Sequence, residues 1–167
     1  MILFNLIKND WKLNSTISSI ILLFYRIKHS LYMNKHNILL KIVIIIEYII
    51  MIFLNVDVQI SYKAELGKNI RLLHKGTGVV ISSKAKIGDN CTILHQVTIG
   101  INEAKKNQNI TIGNNCFLGT GAKIISCNVC DYCKIGANAV VIKDILNPSI
   151  VYCLNEVKQI EINSINN

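Results

Sequence analysis

An aliphatic residue returns every sixth position from Ile81 through Ile87, Ile93 and Ile99, and again at Ile112, Leu118 and Ile124. This beat restricts the fold more than any other property of the chain. Three hexads make one triangular coil of a parallel β-helix, because each short strand points one aliphatic side chain inward and then turns a corner on small or polar residues.

The hexads read as inward residue, Gly, two turn residues, small residue, outward residue. Examples are Ile87-Gly88-Asp89-Asn90-Cys91-Thr92, Ile112-Gly113-Asn114-Asn115-Cys116-Phe117 and Leu118-Gly119-Thr120-Gly121-Ala122-Lys123. Gly and Asn suit corners that need positive φ, and Asn or Asp can bond nearby backbone at the turn. A β-sandwich has no reason to keep a six-residue period. Leu66 and Leu72 fit the same phase upstream, and Val129, Ile135 and Val141 continue it downstream, with one residue missing between Ile124 and Val129. The sequence therefore predicts a mainly β chain, with the solenoid over residues 59–145.

Two departures from the beat mark where function is expected, since a regular coil leaves little room for a pocket. Leu72 to Ile81 is nine residues rather than six, which places a three-residue excursion within 73–80. Ile99 to Ile112 is thirteen, which extrudes a seven-residue loop within 102–109.

Residues 1–58 lack the repeat and read as a helical N-terminal region, and residues 146–167 read as a C-terminal tail. Ser15 or Thr16 caps a helix running to about Tyr32, with Arg26, Lys28 and His29 in the half where cations suit the helix dipole. A second, intensely apolar helix is expected over 38–54. Lys41 and Glu47 interrupt it, and about 17 residues is the lower limit for crossing a bilayer. Packing within an oligomer, or lying on the cytoplasmic membrane face, is the better expectation. The N-terminus shows no basic region followed by an apolar run and a small-residue cleavage site, so the expected location is the cytoplasm, at most against the inner face of its membrane.

At 167 residues, 51% hydrophobic and with one proline, a single domain with an ample core is expected. The net charge of +8 favours an anionic partner. The lysines are scattered without interleaved aromatics, which argues against nucleic acid and for an anionic cofactor or membrane surface.

Cys127, Cys130 and Cys133 form a CxxCxxC run of the kind that binds metals or clusters. Yet Cys91, Cys116 and Cys133 all occupy the small fifth position of their hexads, so a core role is expected and no metal. His29 and His36 read as ordinary surface histidines. His74 and His95 differ, because each stands two residues after an inward aliphatic, and Leu72 and Ile93 are 21 residues apart: one 18-residue coil plus the excursion. Successive coils lie about 4.8 Å apart, so both imidazoles are expected on one edge, with Thr120 and Ala137 next up the column. One imidazole can take a proton from a hydroxyl that attacks a thioester while a second donor holds the oxyanion. A zinc hydratase of the γ-carbonic-anhydrase kind needs three histidines, and the column holds two.

The runs Arg71-Leu72-Leu73-His74-Lys75-Gly76-Thr77-Gly78-Val79-Val80-Ile81, Val97-Thr98-Ile99-Gly100 and Lys134-Ile135-Gly136-Ala137-Asn138-Ala139-Val140-Val141 resemble the serine acetyltransferase branch of the left-handed β-helix acyltransferases. Within it the chain looks closest to the short acetyltransferases of exopolysaccharide synthesis, of the colanic-acid type. His95-Gln96-Val97-Thr98-Ile99-Gly100 is similar to that group's H-G-V-T-I-G, Asn9-Asp10-Trp11 and Tyr25-Arg26 look like its opening helices, and the tail ending Ile162-Asn163-Ser164-Ile165-Asn166-Asn167 lacks the terminal isoleucine of the serine enzymes.

The resemblance implies a left-handed coil, acetyl-CoA as donor, and a homotrimer with its active site between subunits. It implies His74 as general base, with His95 or backbone amides on the oxyanion. Gly100, Gly119, Thr120, Ala137 and Lys143 fall where the family lines the groove for the CoA arm. The serine enzymes carry an Asp fifteen residues before the base, where this chain has Gln59, with Asp57 two residues earlier on the same side of the strand. Leu73 and Asn109 likewise replace an Asp and a His of those enzymes. These differences favour a sugar hydroxyl in surface polysaccharide synthesis as acceptor, with L-serine, in cysteine biosynthesis, as the alternative.

Overall fold

The computed structural model describes residues 2–102 and 109–152. Most of the expected loop at 102–109 and the end of the expected tail lie outside the described residues. Hydrophobic period translates directly into stacking here: the inward aliphatics form three columns, and each column is the spine of one parallel sheet.

The first sheet holds β1 (Gln59–Ile60), β4 (Val80–Ile81), β7 (Thr98–Gly100), β10 (Lys123–Ile125) and β12 (Val140–Val141) in that order. Its register stacks Ile60, Ile81, Ile99, Ile124 and Val141. The second sheet runs β3 (Arg71–Leu72), β6 (Thr92–Ile93), β9 (Phe117–Leu118), β11 (Lys134–Ile135) and β13 (Ile150–Val151), stacking Leu72, Ile93, Leu118, Ile135 and Val151. The third comprises β2 (Glu65–Leu66), β5 (Ala85–Ile87) and β8 (Ile110–Ile112), and isolated bridges extend its column through Val129 to Ile145. This is the parallel β-helix that the hexads specify, and Ile93, Ile99, Leu118, Ile124 and Ile135 are wholly buried in it. The coils run on past residue 145 through β13, within the stretch expected as tail.

The turn residues earn their places through the coil beneath. Asp89 accepts from the Lys68 amide at 2.8 Å, Asn114 from the Asp89 amide at 2.8 Å, and Asp131 from the Asn114 amide at 2.7 Å. Each carboxylate or amide oxygen thus satisfies a corner N–H that the strand ladder leaves unpaired. Cys91, Cys116 and Cys133 stack inside the adjacent corner, all buried. The Cys91 thiol donates to the Gly113 carbonyl at 3.1 Å and Cys116 to that of Cys130 at 3.2 Å. Hydrogen bonding to Cys91 and burial push the Cys116 thiol up, so it stays protonated as a small core group.

Three helices precede the coils: α1 (Ile2–Leu13), α2 (Thr16–Met33) and α3 (Asn37–Phe53). Ser15 caps α2, its hydroxyl accepting from the Ser18 amide. The basic residues of α2 serve tertiary contacts instead of the helix dipole. Arg26 pairs with Asp10 at 2.9 Å and donates to the carbonyls of Leu66 and Gly67 at 2.7 and 2.6 Å. Lys28 pairs with Glu47 of α3. Tyr25 donates its hydroxyl to the Ala64 carbonyl at 2.8 Å and accepts from the Leu66 amide at 3.0 Å. His29 shares a ring nitrogen with the Tyr62 carbonyl at 2.9 Å. Asn14 bonds the Leu72 amide at 2.6 Å and the Ile70 carbonyl at 2.8 Å. The helices therefore close the first coil's open edge, where backbone groups would otherwise lack partners. Among the described residues no helix is long and apolar enough to cross a membrane.

Candidate active site

The corners that follow β3, β6, β9 and β11 of the second sheet carry His74, His95, Thr120 and Ala137, each two residues past its column aliphatic. The His74 and His95 rings lie with centroids 4.9 Å apart and planes at 78°, an edge-to-face pair on one ridge. His74 is exposed and His95 half-buried. The Nδ1 of His95 is buried without a hydrogen-bond partner among the described residues.

The three-residue excursion is a 3₁₀ turn over His74–Gly76. His74 and Lys75 have φ of 54° and 60°, a left-handed conformation that costs a side-chain-bearing residue on the order of 1–2 kcal/mol. Gly76 continues at φ 61°, and a Cβ there would sit 2.6 Å from the Leu72 side chain, so only glycine fits. Amides of Gly76 and Val79 close the turn onto the carbonyls of Leu73 and Gly76 at 3.0 and 2.9 Å. The chain thus holds strained backbone at the residue whose imidazole it presents, a pattern met at functional sites.

Of the residues expected to hold the CoA arm, Gly119, Thr120 and Ala137 join the histidine column. A Cβ on Gly119 would meet the Ala137 amide nitrogen at 2.8 Å, so glycine lets the two coils approach there. Gly100 and Lys143 lie apart from them, at the opposite edge of the first sheet: Gly100 pairs with Ile125, and Lys143 stands exposed two residues beyond Val141. Between these edges Lys123 points outward from β10, donating to the Gln96 carbonyl at 2.7 Å and the Thr98 hydroxyl at 3.1 Å. Sequence reading missed this cation beside His95; its signal is the outward position of the hexad that begins at Leu118.

Gln59 opens β1 and Asp57 stands two residues before it. Neither side chain hydrogen-bonds the His74 ring among the described residues. Gln59 pairs in register with Val80, after the excursion, and Asp57 offers its carbonyl to the Gly78 amide. Their side chains line a cleft of about 1110 Å³ between α3 and the first coil, shared with Tyr48, Met51 and Thr77. Among the described residues no group of three or more His, Cys, Asp or Glu side chains is arranged to hold a metal ion.

The fold is a parallel β-helix of hexads, and two imidazoles meet on one of its ridges. No protein-family model matches the sequence. A serine acetyltransferase of Helicobacter pylori is 33% identical over 142 residues, covering 83% of this chain and 79% of that protein. The crystal structure of serine acetyltransferase isoform 3 from Entamoeba histolytica, in complex with cysteine, superposes with a TM-score of 0.78 at 25% identity, covering 95% of this chain and 61% of that one. The Neisseria gonorrhoeae serine acetyltransferase in complex with serine gives 0.67 at 28% identity, over 80% of this chain and 53% of that one. The chain thus spans little more than half the length of these two crystallised proteins. It belongs to the serine acetyltransferase family.

Proposed function

We propose that the chain is an acetyl-CoA-dependent O-acetyltransferase, and that its acceptor is L-serine. The observation that carries the chemistry is the pair of rings 4.9 Å apart on one ridge. His74 takes the proton of the acceptor hydroxyl, and the oxygen attacks the thioester carbonyl. An N–H of His95 or of the backbone holds the oxyanion of the tetrahedral intermediate. Collapse breaks the C–S bond, and the proton on His74 passes to the sulfur, leaving the O-acetyl ester and free CoA thiol.

The small residues Gly119, Thr120 and Ala137 give a shallow floor beside the rings for the pantetheine arm, and the ammonium groups of Lys143 and Lys123 suit its phosphates. Family membership and the serine bound to the Neisseria enzyme support the acceptor. The subunit works as a homotrimer in the cytoplasm on this reading. A second acceptor, a sugar hydroxyl in polysaccharide synthesis, is favoured by Gln59, Leu73 and Asn109, which put neutral side chains where the serine enzymes carry ionisable ones.

A CoA-release assay offering L-serine beside a panel of nucleotide sugars and oligosaccharides decides between them. Turnover of L-serine alone supports the first reading, and turnover of a sugar with L-serine inert replaces it by the second. His74→Ala should lower kcat about a hundredfold or more. Retention of more than roughly a tenth of wild-type turnover removes His74 as the base.

A further inference from the structure

The helices carry a surface that the acetyl-transfer chemistry leaves unused. Ile38, Ile42, Ile45, Ile49 and Ile52 fall at helical spacing along α3 and are all exposed, from 48% to 80%. Phe53 is 92% exposed at its end, and on α1 Phe4 and Trp11 are exposed at 70% and 48%. Only Leu40 of α3 is buried. A contiguous apolar stripe of this kind on a surface helix marks an interaction face.

The charges say what covers it. Residues 2–54 contain two carboxylates, Asp10 and Glu47, and both are taken up by the ion pairs with Arg26 and Lys28. Lys8, Lys12, Lys35 and Lys41 stand exposed with no acid on these helices left to meet them. The same helices of a second copy would offer Lys41 no unpaired carboxylate. An anionic bilayer satisfies both features: isoleucines enter the headgroup boundary while lysines meet phosphates, with the aromatic rings of Trp11 and Tyr48 suited to the interface. At 1.5 Å per residue the 17 residues of α3 reach roughly 25 Å, short of a hydrocarbon core of about 30 Å, and Glu47 pins the helix to α2. We propose that the α1–α3 surface docks the protein, lying flat, on an anionic phospholipid bilayer. This stands apart from the choice of acceptor.

The test is co-sedimentation of the full chain with vesicles of phosphatidylglycerol mixed into phosphatidylcholine, against phosphatidylcholine alone. The full chain should pellet with the anionic vesicles, and high salt should release it. Ile45→Glu with Ile49→Glu should cut binding about tenfold or more by charging the inserted stripe. Replacing Lys8, Lys12, Lys35 and Lys41 by Gln should do likewise without touching the apolar residues. Unchanged CoA release and helical circular dichroism show that each variant is folded; if the isoleucine variant fails to fold, the lysine variant decides. The proposal is overturned if anionic vesicles bind no better than neutral ones, or if a folded variant pellets as well as wild type. It is equally overturned if the isoleucine substitutions lower the molar mass of the lipid-free protein in light scattering while vesicle binding persists, which would give the face to a second copy.

Discussion

The coils and the helices that close them are held by different kinds of interaction. Inside the coils, stability is spread evenly over aliphatic columns in which Ile93, Ile99, Leu118, Ile124 and Ile135 have the same surroundings repeated from one level to the next. At the junction it is concentrated in a few polar side chains, the buried Tyr25 and Arg26 and the half-buried Asn14, that satisfy the lowest coil's backbone. Distributed contacts fail gradually and locally. Concentrated ones fail as a unit, because removing one partner leaves another buried and unpaired.

Arg26→Ala is the hardest test of this contrast. It strands the Asp10 carboxylate, whose affinity for its proton burial already raises, and should cost about 3–5 kcal/mol in urea denaturation. Amides of α1 and α2 should lose protection from hydrogen exchange while β6, β9 and β11 keep theirs; simultaneous loss in both would mean that the two regions are one cooperative unit. Leu118→Ala, in the middle of a column, should cost about 2–5 kcal/mol, with exchange rising first in the coils next to it. Uniform exchange along the solenoid would contradict nearest-neighbour coupling.

Tyr25 sharpens the comparison through pH. Burial pushes its phenol up to about 12 from an ordinary 10.0. The unfolded chain therefore releases this proton between pH 10 and 12 while the folded chain keeps it, so stability falls as pH rises across that window, by roughly 2–3 kcal/mol. Below pH 10 the contribution is fully present. In Tyr25→Phe the fall attributable to this group should vanish, leaving the slope due to lysines, as paired urea melts at both ends of the window would register.

The columns were legible in the sequence because a core with a strict period writes itself into local spacing. So was the pairing of His74 with His95, since 21 residues separate Leu72 from Ile93 and register follows from counting. The helical cap was legible only as helices. Nothing near Asn14 or Arg26 announces a partner 40 or more residues away, so their bonds to the first coil have no sequence pattern. The strand at Ile150–Val151 was missed because Val141 to Ile145 is four residues, which breaks the beat before it resumes. The orienting role expected of Asp57 or Gln59 came from resemblance alone, because hexad spacing says nothing of which partner a side chain before the first coil will bond.

Chain length varies greatly between levels of the spiral: 21 residues separate Ile60 from Ile81, 18 separate Ile81 from Ile99, 25 separate Ile99 from Ile124 and 17 separate Ile124 from Val141. Yet each isoleucine or valine still sits directly above the last. Among the described residues the excursion after Leu72 and the missing residue between Ile124 and Val129 both fall at ridges, so genetic insertions and deletions there need not disturb the aliphatic packing above or below. Substrate choice in such a molecule can drift by lengthening or trimming its edges, with the interior as a fixed ruler.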